Sequence, residues 1–222
     1  WRPSGTLRVI ADASSIKRLR LVIIECNEIP NHMLFDHLVA GYLAGAHKIK
    51  IKSNKTFSRD QKRIIRKFIR STSGMEITNE LDYEIELISL LNPTEMPFFS
   101  SINRMYLLLS SQIRDFSEIL SGGDLDILDD ADERENEVDA LRLLLERQAG
   151  GILESASIED SLGTSRWEAA ELCKLVRTLE RMGDHSHNLC DLASNYNVPR
   201  NINMNSLPVS VIPIWQTSIK LL

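Results

Sequence analysis

The sequence predicts a mostly α-helical protein, an antiparallel three-helix bundle preceded by a small α+β domain. Three observations predict it. From Asn92 to about residue 196, apolar residues recur every three or four positions, the stripe of helices that share a core. Before Asn92, short β-branched runs alternate with two amphipathic stretches, the mark of strands mixed with helices. Gly45, Gly74 and the Gly122-Gly123 pair punctuate these segments.

In the first unit, residues 1–91, the runs at 7–10 and 19–25 read as strands. A helix opens at Asn31 with Leu34, Phe35, Leu38, Val39 and Tyr42 on one face, and Gly45 ends it. His-Lys-Ile-Lys-Ile-Lys at 47–52 alternates as a half-buried strand does. Ser58 caps a second helix with Ile64, Ile65, Phe68 and Ile69 inward and bases outward, and Gly74 closes it. Strand-like alternation returns over 76–91, with Ile85, Leu87 and Ser89 on one side.

The second unit, residues 92–196, starts at Asn92-Pro93-Thr94-Glu95, a capping box with proline at the first helical position. Helix one runs over about 93–121 on the stripe Phe99, Ile102, Tyr106, Leu109, Ile113, Phe116 and Leu120. Helix two runs over about 124–154 with Asp124 as cap, burying Leu128, Ala131, Val138, Leu141, Leu145 and Ile152, and Gly150-Gly151 weaken its end. A serine-rich loop leads to helix three, capped by Ser165 with Glu168 and ending near Asn195. Its stripe is Leu172, Leu175, Leu179, Met182, Ser186, Leu189 and Ala193. Short loops between long helices make them antiparallel neighbours. Residues 197–222 read as a linker and the start of a truncated second helical repeat, and a first residue of Trp rather than Met leads to the expectation of a fragment.

Composition narrows the function. The 222 residues carry 31 acids against 26 bases, a net charge of −5, which speaks against a nucleic-acid surface over the whole chain. Bases crowd residues 47–70 and acids crowd 124–139, an asymmetry that suggests two working halves. Three cysteines without CxxC spacing fit free thiols in a reducing cytoplasm. No apolar run reaches membrane-spanning length and no signal peptide is visible, so membrane insertion is not expected.

The chemistry lies in acids four apart. Glu135 and Asp139 share one face of helix two, with Asp132 about one turn before; Glu180 and Asp184 share one face of helix three, continued by His187 and Asp191. Carboxylates converging from two helices repel unless a cation neutralises them, and oxygen ligands favour the harder ions. Such pairs, taken alone, are more often solvated surface charge, and Arg134, Arg142, Arg177 and Arg181 stand close enough in sequence to neutralise them. Gly183, inside a helix at a cost of about 1 kcal/mol, reads either as a tight helix crossing or as room for a bound ion cluster.

Residues 179–193, LERMGDHSHNLCDLA, resemble the PhoU signature LERIGDHAENIAE, and 132–141, DERENEVDAL, resemble that family's second acidic motif. The likeness spans about residues 93–195 and is of the archaeal PhoU type, a phosphate uptake regulator. It implies a PhoU-like three-helix repeat in which Glu135, Asp139, Glu180 and Asp184 ligate metal, iron or zinc first and magnesium or manganese after; helix position, not the resemblance, adds Asp132 and His187 as additional candidates. It implies a cytoplasmic, non-catalytic regulator of phosphate uptake and signalling, a homodimer in contact with a phosphate transporter or its sensor. The chain departs from the pattern by holding one complete repeat where the family has two, and by His187 and Cys190 where Glu and Ala are usual. Archaeal relatives of this type carry N-terminal extensions, some with an AbrB-type DNA-binding module, which residues 1–91 do not match.

Two other functions compete. A transcriptional regulator would use the N-terminal region, with Arg59, Lys62, Arg63, Arg66 and Lys67 contacting a partner or nucleic acid, against the plainer reading of a solvated helix face. A ferritin-like carboxylate oxidase would need Glu-x-x-His from two helices, and here only Asp184 to His187 imitates that spacing. No nucleophile–base pair and no glycine-rich phosphate loop stands out.

Overall fold

The computed structural model describes residues 19–92, 96–195, 213–215 and 217. The expected strand at 7–10, the Pro93 and Glu95 half of the expected capping box and the 197–212 linker lie outside them. The N-terminal unit is a four-stranded sheet in the order β1-β2-β4-β3, formed by β1 (Leu21–Glu25), β2 (Lys48–Lys52), β3 (Met75–Glu80) and β4 (Glu84–Ser89). Helix α1 (Leu34–Leu43) carries the chain from β1 to its parallel neighbour β2, as a parallel pair requires. Helix α2 (Arg59–Arg70) follows, and β3 and β4 close as an antiparallel hairpin beside β2.

Alternation decides the two faces of this sheet. Ile49, Ile51, Ile85 and Leu87 point inward and join Leu38, Tyr42 and Phe68 of the helices in one core. The partners Lys50 and Glu86 face each other on the open side, where Lys48 also reaches Glu86 at 2.9 Å. Ser58 and Gln61 exchange both bonds of a capping box at the start of α2. Gly45 follows the α1 C-cap Ala44 with φ of 78°, whereas α2 stops at its C-cap Ser71 and Gly74, with φ of 74°, makes the turn into β3 instead of closing the helix; glycine takes both left-handed conformations without strain.

The second unit is helical: α3 (Phe98–Leu120), α4 (Ala131–Glu154), α5 (Ala156–Leu162) and α6 (Arg166–Asn195). Four details depart from the sequence reading. α3 begins at Phe98 rather than 93, because Pro97 is the N-cap and a proline keeps the residue before it out of the helical region. That start turns Phe98 into the core and leaves Phe99 57% exposed. Asp124 caps only a 3₁₀ turn, Leu125–Leu128, and α4 starts at Ala131. The expected serine loop holds the short helix α5.

Gly150 and Gly151 lie inside α4 and do not end it. A side chain at Gly151 would stand 3.2 Å from Ile158 of α5, and one at Gly150 3.6 Å from the Leu43 carbonyl of α1, so the pair serves close approach. Ser165 and Glu168 form the expected capping box of α6. Residues 213–215 and 217 are helical, and Trp215 packs on the bundle with its ring edge-on to His185.

The two units meet along α4. Leu143 belongs to the sheet unit's core. Arg147, 6% exposed, donates to the carbonyls of Tyr42 and Ala46 at the end of α1 and lies over the Tyr42 ring.

Candidate metal centre

Helices α4 and α6 run side by side, and the seam between them collects the predicted acids. The reason is local: Val138 and Leu141 of α4 and Val176 and Leu179 of α6 are buried, so the neighbouring positions face along the contact. Gly183 is part of the fit. A Cβ there would meet Val138 Cγ1 at 3.3 Å and Leu109 Cδ1 at 3.8 Å, so the glycine lets α6 press against α4 and α3 beside Asp184.

Carboxylate oxygens of Glu135, Asp139 and Asp184 lie within 4.8 Å of one another, close enough to share one cation. Each is half-buried. Glu180 is not in this group. It stands one turn away along α6, with Oε1 3.2 Å from Arg142 Nε. Asp132, His187 and Asp191 form a second trio at the solvent end of the seam, with His187 Nε2 at 3.4 Å from Asp132 and 3.7 Å from Asp191. Asp184 and His187 thus belong to different groups.

The electrostatics of the seam are those of excess negative charge. Burial raises Glu135 above the ordinary carboxylate value, Asp139, Asp184 and Asp132 push it further, and His187 works against them. Asp139 is raised by burial and by Asp184, while Arg142 and Lys67 oppose the shift. Glu180 is raised by burial, then by Asp184, Asp139 and Glu146, against the pull of Arg142. The donor set therefore suits a cation. Three clustered oxygens fit a hard or borderline divalent ion, and the His187 nitrogen favours a borderline one at the outer trio.

The arginines divide as their positions dictate. Arg142 bridges Glu180 and Glu146, and Arg177 holds Glu146 at 2.6 Å. Arg134 turns to the other side of α4, onto Asp115 at 2.6 Å and Asp130. There a groove of about 670 Å³ opens between α3 and α4. Its guanidiniums are engaged, Arg104 by Glu137 at 2.7 Å and Arg114 by Asp115 at 3.4 Å, so it has no evident anion-binding character. On α2, Lys62 and Arg66 reach Glu80 at 3.0 and 3.8 Å, Arg63 reaches Asp60 at 3.2 Å, and Lys67 lies over the Phe35 ring; Arg59 is exposed.

Sequence spacing missed Arg147, whose role depends on α1 folding back over α4. The line that continues Glu180 and Asp184 with His187 and Asp191 splits in two, because His187 and Asp191 group with Asp132 and not with Asp184.

A helical bundle that gathers acids from two adjacent helices is a carboxylate-bearing helical domain. Residues 102–193 match the family model described as the PhoU domain, a family associated with phosphate homeostasis. No curated protein and no solved structure matches the chain. Among the described residues, no helix is long and apolar enough to cross a membrane.

Proposed function

We propose that this chain is a metal-binding regulator of phosphate uptake, a cytoplasmic homodimer that acts by contact with a phosphate transporter or its sensor and runs no catalytic cycle. The observation that carries the metal reading is the cluster of Glu135, Asp139 and Asp184 oxygens within 4.8 Å. Held that close and half-buried, these acids are destabilised by one another, and a cation removes the repulsion. Iron or zinc is the first choice from the family likeness, and the oxygen-only donor set also suits manganese or magnesium. Glu180 is the fourth ligand when it leaves Arg142, and Asp132 with His187 extends the seam outward. The engaged arginines of the α3–α4 groove support phosphate sensing through the partner rather than in this domain.

The test is metal analysis of tag-free protein beside a Glu135→Gln, Asp139→Asn double variant. Stoichiometric metal in the wild type, lost in the variant, is the expected result; equal trace metal in both sinks the reading.

The exposed bases of α2 favour one second reading, a DNA-contacting regulator. Its signature is duplex binding whose affinity falls steeply with salt and is lost on Arg59→Ala with Arg63→Ala. The oxidase alternative is weakened because Asp184 and His187 belong to separate trios. Oxygen consumption with ferrous iron would revive it.

A further inference from the structure

We infer that Arg142 is the resident counter-ion of the carboxylate seam, a side chain that keeps Glu180 from an incoming metal ion and so sets the affinity of the centre. The inference rests on the metal reading above. Arg142 follows Asp139 by three positions on α4, so its side chain reaches along the same seam. Its Nε stands 3.2 Å from Glu180 Oε1, with both side chains 24% exposed, which screens the pair less than a fully solvated one. Glu180 precedes Asp184 by one helical turn, yet it is outside the trio of oxygens within ligand range of one another. The carboxylate missing from the trio is the one an arginine holds.

The hold is of a kind that can be exchanged. The Arg142 Nε–H makes no well-directed hydrogen bond, so the contact with Glu180 is charge against charge. The same guanidinium donates to Glu146 at 3.3 Å, and Arg177 fixes Glu146 at 2.6 Å. When Glu180 turns to a cation, Arg142 keeps a carboxylate partner and no buried charge is stranded. A divalent ion, with twice the charge and short oxygen contacts, wins Glu180, but its affinity is lowered by the free energy of displacing the arginine.

Calorimetric titration of tag-free protein with Mn²⁺ and with Zn²⁺ tests this. Arg142→Gln tightens binding roughly 5- to 100-fold, the range of ordinary coupling free energies. Arg142→Met, which keeps the aliphatic stem, does the same and serves if the Gln variant does not fold. Arg142→Lys keeps the charge and stays near the wild-type affinity. In a Glu180→Gln background the gain shrinks, because only the arginine's field at Asp139 is then left to remove. Wild-type binding with no tightening in the Gln or Met variant overturns the inference and leaves the metal centre standing. If neither wild type nor the neutral variants take up either ion, the metal reading falls and this one with it.

Discussion

The sheet of the N-terminal unit and the α4–α6 seam are both dense in charge, and they treat their carboxylates in opposite ways. On the open face of the sheet, hydrogen bonds from Lys50 and Lys48 hold Glu86 below its ordinary value. Lys62 does the same for Glu80 at the edge. In the seam, Glu135, Asp139 and Glu180 are pushed up, first by burial and then by neighbouring acids, Asp184 among them in each case. Acids are common to both regions; the difference is what stands opposite. Strand register sets Lys50 across from Glu86, whereas helix packing sets Asp184 beside Asp139. A region whose charges are paired is complete in itself. One whose like charges face each other gains from a cation, which is the electrostatic basis of the proposed metal centre.

The largest expected effect lies where the two regions join. Arg147 is buried, and its guanidinium satisfies the Tyr42 and Ala46 carbonyls. Arg147→Ala leaves those acceptors without it and opens a void in the joint, at a cost of about 2–4 kcal/mol. Thermal unfolding by calorimetry should then split into two transitions, one for each region. A single transition with unchanged midpoint would mean that the sheet unit and bundle do not lean on this contact.

Metal comes next and separates the regions directly. A divalent ion at a hundred times its dissociation constant stabilises the protein by about 2.7 kcal/mol. Glu135→Gln with Asp139→Asn removes that gain in a thermal-shift assay, while Glu84→Gln with Glu86→Gln leaves it intact. Loss of the gain in the sheet variant alone would reverse the assignment of the two regions.

Much of this contrast was legible in the sequence, and the reasons differ by element. The β2 alternation Lys-Ile-Lys-Ile-Lys fixes which face is buried, because a strand has only two sides. The Glu-x-x-x-Asp spacing put Glu135 with Asp139, and Glu180 with Asp184, each on one helix face. What spacing does not contain is helix rotation. Val176 and Cys190 are buried, while Leu175 and Leu189 of the expected stripe are only partly covered. The same indeterminacy explains why Glu180 meets Arg142 instead of Asp184's cluster. Arg147 was invisible because its partners are backbone carbonyls about a hundred residues away, and a carbonyl carries no sequence signature.

The smallest effect has the sharpest sign. Asp139 in the folded protein keeps its proton to higher pH than its ordinary value of 3.8. Just above that value the native state binds more protons than the unfolded state, so stability falls as pH rises through the folded pKa. Glu86 is the reverse case: its stabilising contribution is present above the ordinary value of 4.5 and fades on acidification. Asp139→Asn should therefore stabilise the metal-free protein at neutral pH by up to about 1 kcal/mol, the ceiling for a part-solvated charge. The gain should shrink toward pH 4. Glu86→Gln should destabilise at neutral pH and cost progressively less on acidification. Urea unfolding of both variants across pH 4 to 7 reads the two slopes side by side. Parallel slopes would mean that the seam's acids are as well compensated as those of the sheet, and the case for a missing cation would lose its electrostatic basis.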